Sequence, residues 1–193
     1  MEWKGFNKNN EIEYEIKDGK GKVKEYYDNG KLEFEGEYLN GKRNGKGKEY
    51  HYNGKLEYEG EYLNGERNGK GKEYNKDGQL IFEGEYFNGE RKKGKEYYYD
   101  GSLIFEGEYL NEERWNGKGK EYDYEGNLEF DGEYLNGKRY NGFGKEYNSD
   151  YEVIYEGEYL NGKKVDITNF EEDDNDDNNI FLEKENKDYS FGE

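Results

Sequence analysis

The chain has 193 residues with no Cys, no Pro and one His, and its 30 Lys and Arg stand against 48 Asp and Glu, a net charge of −18. A field of that sign disfavours nucleic-acid phosphates and anionic membrane surfaces, and without Cys there is no disulfide framework, thiol nucleophile or Cys-based zinc site. Leu, Ile, Val and Phe are too few for a conventional core, but 23 Tyr add rings that each bury roughly 150–250 Å².

Residues 1–11 read as an N-terminal capping segment in which Trp3–Phe6 form a strand. They lack the apolar stretch of a signal peptide, and no apolar run in the chain approaches the ~18 residues of a membrane span. A soluble, cytoplasmic chain is expected, with a peripheral place at a membrane or the cytoskeleton as the alternative.

Self-similarity then takes over. FEGEYLNGKRNGKGKEYHYNGKLE from Phe34 is followed by YEGEYLNGERNGKGKEYNKDGQLI from Tyr58, and related units start at 82, 105, 130 and 155 after a degenerate first unit at 12. The spacings are 22, 24, 24, 23, 25 and 25 residues, with the length changes near the turns. The array spans 12–164 and closes on a half unit.

Within a unit, Leu56, Tyr58, Gly60 and Tyr62 alternate with Glu57, Glu59 and Glu61, the period-2 pattern of a strand with one covered face. Asn64-Gly65 supplies a reversal, GKGKEY runs back, and Asp77-Gly78 reverses the chain again, so each unit is a β-hairpin and the array an antiparallel meander. With 29 Gly and no 3.6-residue apolar stripe, helix is excluded as the main element. The mid-strand Gly needs a packing reason: it makes a slot for a neighbouring ring, and stacked slots build a Phe/Tyr ladder on one face. Glu, Lys and Ile81, Ile104 and Ile154 are then expected on the other.

The unit aromatic-Glu-Gly-Glu-aromatic, Asn-Gly, Gly-x-Gly, then Tyr resembles the MORN (membrane occupation and recognition nexus) repeat over residues 12–164. The resemblance implies an all-β, extended, twisted array used as a scaffold for protein contact, dimerisation or phospholipid binding. The return strand departs from the usual form, since Lys48 and Glu49 separate Gly47 from Tyr50, as in longer bacterial and protist variants. One inserted residue flips every later side chain, so the spacing predicts a β-bulge near Lys48-Glu49.

Two surfaces are candidates. The rings Phe34, Tyr38, Tyr58, Tyr62, Phe82, Tyr86, Phe105, Tyr109, Phe130, Tyr134, Tyr155 and Tyr159 are either the array's own core or an aromatic groove for a partner. Lys42, Arg43, Arg67, Arg91, Lys92, Lys93, Arg114, Lys138 and Arg139 mark one rim as basic, a place for phospholipid head groups or an acidic partner if it is not an ordinary solvated edge. No catalytic constellation, metal site or cofactor site is expected: His51 is not repeated, and the Glu spacing is set by the repeat. From Val165 the composition turns acidic, with 11 acidic and 2 basic residues, and a largely disordered tail is expected. Asp174, Asp176, Asn178 and Glu185 fit four positions of a calcium loop, but Asn179 replaces the required Gly. The expected function is a non-catalytic protein-interaction or self-association scaffold; the alternative is a peripheral membrane adaptor.

Overall fold

The computed structural model describes residues 2–6, 12–123 and 125–165. The segment 7–11 and the acidic tail from residue 166, including the calcium-loop pattern, lie outside the described residues. Fifteen strands follow one another: β1 (Glu2–Phe6), β2 (Ile12–Lys17), β3 (Lys20–Tyr26), β4 (Leu32–Leu39), β5 (Lys42–Tyr50), β6 (Leu56–Leu63), β7 (Glu66–Tyr74), β8 (Leu80–Phe87), β9 (Glu90–Tyr97), β10 (Leu103–Leu110), β11 (Glu113–Tyr122), β12 (Leu128–Leu135), β13 (Lys138–Tyr147), β14 (Val153–Leu160) and β15 (Lys163–Lys164). They form one antiparallel sheet in chain order, so the fold is an all-β meander of hairpins. Even-numbered strands open a unit and odd-numbered strands return.

The turns dictate the hairpins. Asn64 and Gly65 both hold positive φ, 54° and 100°, the two-residue turn whose twist suits the flanking strands and which Asn and Gly enter at least cost. The opposite rim turns through segments such as 75–79, where Asn75 N–H donates to Gln79 O at 2.9 Å and Gly78 takes φ 83°. In the last such turn Tyr151 holds φ 60° where the other units place Gly.

The register slips twice in each complete unit from Phe34 onward, and once in the first unit, whose hairpin β2–β3 pairs without a shift. Glu49 faces Tyr58 but Tyr50 faces Leu56, leaving Glu57 over, and the same slip recurs beside Glu25, Glu73, Glu121 and Glu146. A bulge thus lies next to the expected Lys48-Glu49, but its surplus residue belongs to the following strand. Tyr50 is not restored to the ring face: its hydroxyl donates to Glu35 at 2.7 Å, on the side opposite Phe34. Leu56 pairs with Tyr50 and shares that side. Glu57 turns to the ring face, 3.5 Å from Arg67, and its position is taken by Ile81, Ile104 and Ile154; these are bulge residues, not members of the Glu/Lys face.

The second slip lies in the return strand. Gly60 faces Gly71 while Tyr62 faces Arg67, so Asn68-Gly69 bulges out, with Gly69 at φ 94°. In the later units the corresponding surplus is a single residue, Lys92 in β9, Trp115 in β11 and Tyr140 in β13. The bulges also couple units: Gly65 N–H donates to Arg43 O and Gly89 N–H to Arg67 O, both at 2.9 Å.

The core is a single file of rings. A Cβ on Gly36 or on Gly47 would lie 2.6 Å from Phe34 Cζ, so the glycine slots exist, and each ring fills the slot of its own strand as well as that of the next. The next unit's Tyr meets it edge-on: Phe34 to Tyr62, Tyr58 to Tyr86, Phe82 to Tyr109, Phe105 to Tyr134 and Phe130 to Tyr159 have centroids 5.2 to 5.7 Å apart, a favoured aromatic geometry.

Candidate interaction surface

The ring face is closed by its own arginines. Phe34, Tyr58, Phe82, Phe105 and Phe130 are 0% exposed in a sheet with no second layer, because Arg43, Arg67, Arg91, Arg114 and Arg139 lie over them at 4.0, 4.2, 4.5, 5.2 and 5.0 Å. Cross-strand pairing sets this up by placing each Arg opposite the second ring of its unit, as Arg67 lies opposite Tyr62. Each guanidinium is then pinned by carboxylates: Arg67 reaches Glu73 at 2.9 Å and also Glu49, while Arg43 reaches both Glu25 and Glu49 at 2.6 Å. A planar Arg can cover a ring and bridge two carboxylates at once.

The spine accounts for an irregularity in the hydroxyls. Tyr109 donates to Glu96 at 3.1 Å, Tyr134 to Glu121 and Tyr159 to Glu146. The Tyr62 and Tyr86 hydroxyls are buried and have no hydrogen-bond partner among the described residues. Their counterpart carboxylates are engaged by arginines on both oxygens, since Glu49 accepts from Arg43 and Arg67, and Glu73 from Arg67 and Arg91. Burial pushes Tyr62 and Tyr86 well above the usual tyrosine value.

The opposite face is open. Its floor is a track of glycine backbones, Gly36, Gly47, Gly60, Gly71, Gly84 and Gly94, and its walls are Glu and Lys. The groove encloses about 1160 Å³ and runs from β2 to β10, roughly 38 Å at the usual ~4.8 Å strand spacing. One wall alternates in sign from strand to strand: Lys24, Glu35, Lys48, Glu59, Lys72, Glu83, Lys95 and Glu106 stand in register. Lys48 lies 3.5 Å from Glu59, and Lys72 3.3 Å from Glu83. Tyr50, Tyr74 and Tyr97 brace this wall by donating to Glu35, Glu59 and Glu83 at 2.7, 3.0 and 2.7 Å. Burial, and then those carboxylates, push the three phenols up to about 12. Along the Asn-Gly rim the outer bank is apolar: Leu39, Leu63, Phe87, Leu110, Leu135 and Leu160 are all exposed, Phe87 at 57%.

The sequence-predicted residues therefore separate. The rings come together as one buried cluster, with Tyr38 and Tyr155 packed partly buried against it. The basic set divides, because Arg43, Arg67, Arg91, Arg114 and Arg139 turn inward onto the rings while Lys42, Lys92, Lys93 and Lys138 are exposed, Lys93 along the groove. His51 belongs to the other rim, with Nδ1 3.1 Å from Glu57 and Nε2 2.9 Å from Tyr74 O. Among the described residues no group of three or more His, Cys, Asp or Glu is placed to hold a metal ion. The groove is absent from the sequence reading, although its signal was present in the recurrence of Glu35, Glu37, Lys46 and Lys48 at the positions between the rings.

Architecture and surface define a class: an open, single-layer β-repeat array with one sealed face and one grooved face. Residues 34–55, 58–80 and 155–165 match the MORN repeat, and residues 20–40 match a MORN repeat variant. These stretches of the chain are MORN repeats. The units that start at Phe82, Phe105 and Phe130 lie outside the matched stretches and continue the same meander. MORN repeats are a non-enzymatic family generally associated with protein or membrane-lipid interaction. No curated protein matches the chain.

Proposed function

We infer that this chain is a non-catalytic scaffold that binds a protein partner along the glycine-floored groove. The observation that carries this reading is the groove itself, a long concave surface that sets bare backbone between charged walls, with exposed apolar side chains along the Asn-Gly rim beyond it. It is longer than a small-molecule pocket needs to be, and it suits an elongated peptide or helix laid across the strands. Its walls alternate in sign, so the partner segment carries both charges and sets apolar side chains against the Leu63, Phe87 and Leu110 bank. A binding role for the aromatic ladder has less support, because its rings are covered by the arginines.

The membrane reading loses most of its cations in the same way: five of the nine basic residues named for it are bound to rings and carboxylates.

The test is capture from native extract on the immobilised chain, repeated with Lys48→Glu, Lys72→Glu and Lys95→Glu combined and with Leu63→Ser, Phe87→Ser and Leu110→Ser combined. A protein retained by the wild type and lost with both sets is expected. Retention unchanged in both sets sinks the groove, and binding to anionic liposomes in the absence of any protein partner sinks the scaffold reading.

A further inference from the structure

Both walls of the groove stand on the same strands. Lys46 and Lys48 flank Gly47 in β5, Glu59 and Glu61 flank Gly60 in β6, and Lys70 and Lys72 flank Gly71 in β7. Residues two apart on a strand are ~6.6 Å from each other, and the groove is about that wide at its floor. Its lining holds eight Lys and eight Glu, a balanced set in a chain of net charge −18. Lys46 pairs with Glu61, Lys48 with Glu59 and Lys70 with Glu85, so like charges face each other across the groove while the sign changes at every step along it. Whatever lies in the groove meets a Lys pair, a Glu pair and a Lys pair in turn.

This pattern sorts occupants by charge and by thickness. A polyanion meets a Glu pair at every second strand and a polycation meets a Lys pair, so a chain carrying both signs fits where neither of those does. An α-helix is ~10–12 Å across with its side chains and cannot reach the glycine floor between walls ~6.6 Å apart. The floor's backbone groups are engaged between strands, since β3 to β9 are each paired on both sides. An extended chain in the polyproline-II form asks nothing of them, because its own backbone is solvated. That form also keeps step with the walls. Its three-residue turn rises ~9.3 Å and returns a side chain to the same side, against ~9.6 Å from one Lys pair to the next, two strands on. A β-strand repeats a face every ~6.6 Å and falls out of step.

We propose that the groove holds an extended peptide of polyproline-II form whose charges recur at every third residue, an acidic side chain over each Lys pair and a basic one over the Glu pair between. The inference rests on the groove being the binding surface and names what that surface reads. The misfit of ~0.3 Å per turn adds up to about 1 Å over the three steps from β3 to β9, which flexible Lys side chains absorb. A groove of roughly 38 Å takes about twelve residues in this form. The walls are free to change partners: Lys48, Lys72 and Lys95 lie 3.5, 3.3 and 3.8 Å from Glu59, Glu83 and Glu106 in half-exposed pairs, and such pairs hold their members weakly. Turning a Lys toward a peptide carboxylate therefore costs the array little.

Fluorescence anisotropy with dye-labelled peptides tests this on the full chain at low salt. Four repeats of Glu-Pro-Lys should bind at least about tenfold tighter than the same residues arranged in blocks, and tighter by a similar margin than a helix-forming peptide with Glu and Lys four residues apart. Added salt should weaken the binding. Four repeats of Glu-Pro-Pro should bind the wild type less well than Glu-Pro-Lys does. Glu59→Gln, Glu61→Gln, Glu83→Gln and Glu85→Gln combined should reverse that order, the amides still accepting from Tyr74 and Tyr97 in the places of Glu59 and Glu83. Equal binding of the repeat and block peptides, tighter binding of the helical peptide, no binding of any peptide, or an unchanged order in the folded Gln variant overturns the inference. The groove reading is judged apart from it: loss of the captured protein with the Lys48, Lys72 and Lys95 reversals and with the Leu63, Phe87 and Leu110 set upholds that reading whatever the peptides do, and unchanged retention in both sets sinks it.

Discussion

Replacing Gly47 with Ala is the sharpest test of the ring-and-slot packing. Gly47 holds no positive φ, so Ala is comfortable in the backbone and the effect is steric. Its Cβ would lie 2.6 and 2.7 Å from Phe34 Cζ and Cε2 and 3.0 Å from Tyr62 Cε2, against the ~3.5–4.0 Å of a good carbon contact. The ring must move about 1 Å, yet Arg43 lies 4.0 Å above it and Tyr38 and Tyr62 flank it at 5.9 and 5.4 Å. Overpacking costs about 1–3 kcal/mol and loss of a buried Phe about 3–5, so about 2–4 kcal/mol is expected in urea unfolding. A nearest-neighbour array also loses coupling at a central lesion, and the unfolding transition should broaden. The decisive measurement is the cycle with Phe34→Leu. Because the three nearest atoms all belong to rings, a smaller side chain at 34 should make Gly47→Ala cheaper by at least about 1 kcal/mol. Additive costs would refute the slot, as would a Gly47→Ala chain no less stable than wild type.

Other outcomes follow from the spine, the turns and the titrating groups. Arg67→Ala uncovers Tyr58 and leaves Glu49 and Glu73 each short of a cation, and a loss of about 2–3 kcal/mol in urea melts is expected; Arg67→Lys should recover only part of it, since an ammonium cannot bridge both carboxylates flat on a ring. Tyr151→Gly relieves a bulky residue at φ 60° and should raise stability by about 1 kcal/mol, measured against Tyr52→Gly as a turn change without that relief. Tyr50, Tyr74 and Tyr97 have pKa values raised to about 12; a raised value contributes stability that is complete below about pH 10 and lost as pH rises toward 12, so alkaline melts should fall across that window together with the appearance of tyrosinate absorbance. Glu83, held low by the Tyr97 hydrogen bond, and Glu146, held low by Lys164 and Tyr159, work in the opposite sense. Their stability is present above the ordinary carboxylate value and drains as pH falls below it, and a melting temperature constant from pH 6 to pH 3 would contradict both pairings.

The hairpins were legible because each depends on residues close in sequence. Asn-Gly reports a two-residue turn wherever it falls between alternating strands, and the spacing of Tyr58, Gly60 and Tyr62 reports a covered face. The slips were only half legible. A surplus residue between Gly47 and Tyr50 is visible in the sequence, but whether it is absorbed by β5 or by the strand after it depends on hydrogen bonds between strands, and so the alternation alone puts Leu56 and Ile81 on the wrong faces. The arginines were misjudged for a related reason. Arg67 follows the Asn64-Gly65 turn by two residues, which looks like a rim, but its pair partner is Tyr62, and that pairing carries the guanidinium inward. The groove was hidden by the same glycines that disclosed the rings, because a residue without a side chain was read only for what it admits on one face.

Gly36, Gly60 and Gly84 in fact serve both faces of a one-layer sheet. On the ring face their missing Cβ makes room for Phe34, Tyr58 and Phe82; on the other, the same bare backbone is the floor between the Glu and Lys walls. A substitution that roughens the floor therefore strikes the core as well, and the floor cannot be varied to choose a partner without a cost in stability. Lys48, Lys72 and Lys95 are under no such constraint, being half-exposed on the walls, nor are Leu63, Phe87 and Leu110 on the bank. On the proposed reading, recognition is written in those walls and banks, while the glycines fix only where the groove runs. Charge reversals at Lys48, Lys72 and Lys95 should accordingly change which partner is retained while shifting stability by no more than about 1 kcal/mol each, the range for exposed ion pairs. Urea melts alongside the capture experiment separate the two effects. Wall variants that unfold the array as readily as Gly47→Ala would mean that walls and core are one structure, and that the groove has no surface free to specify a partner.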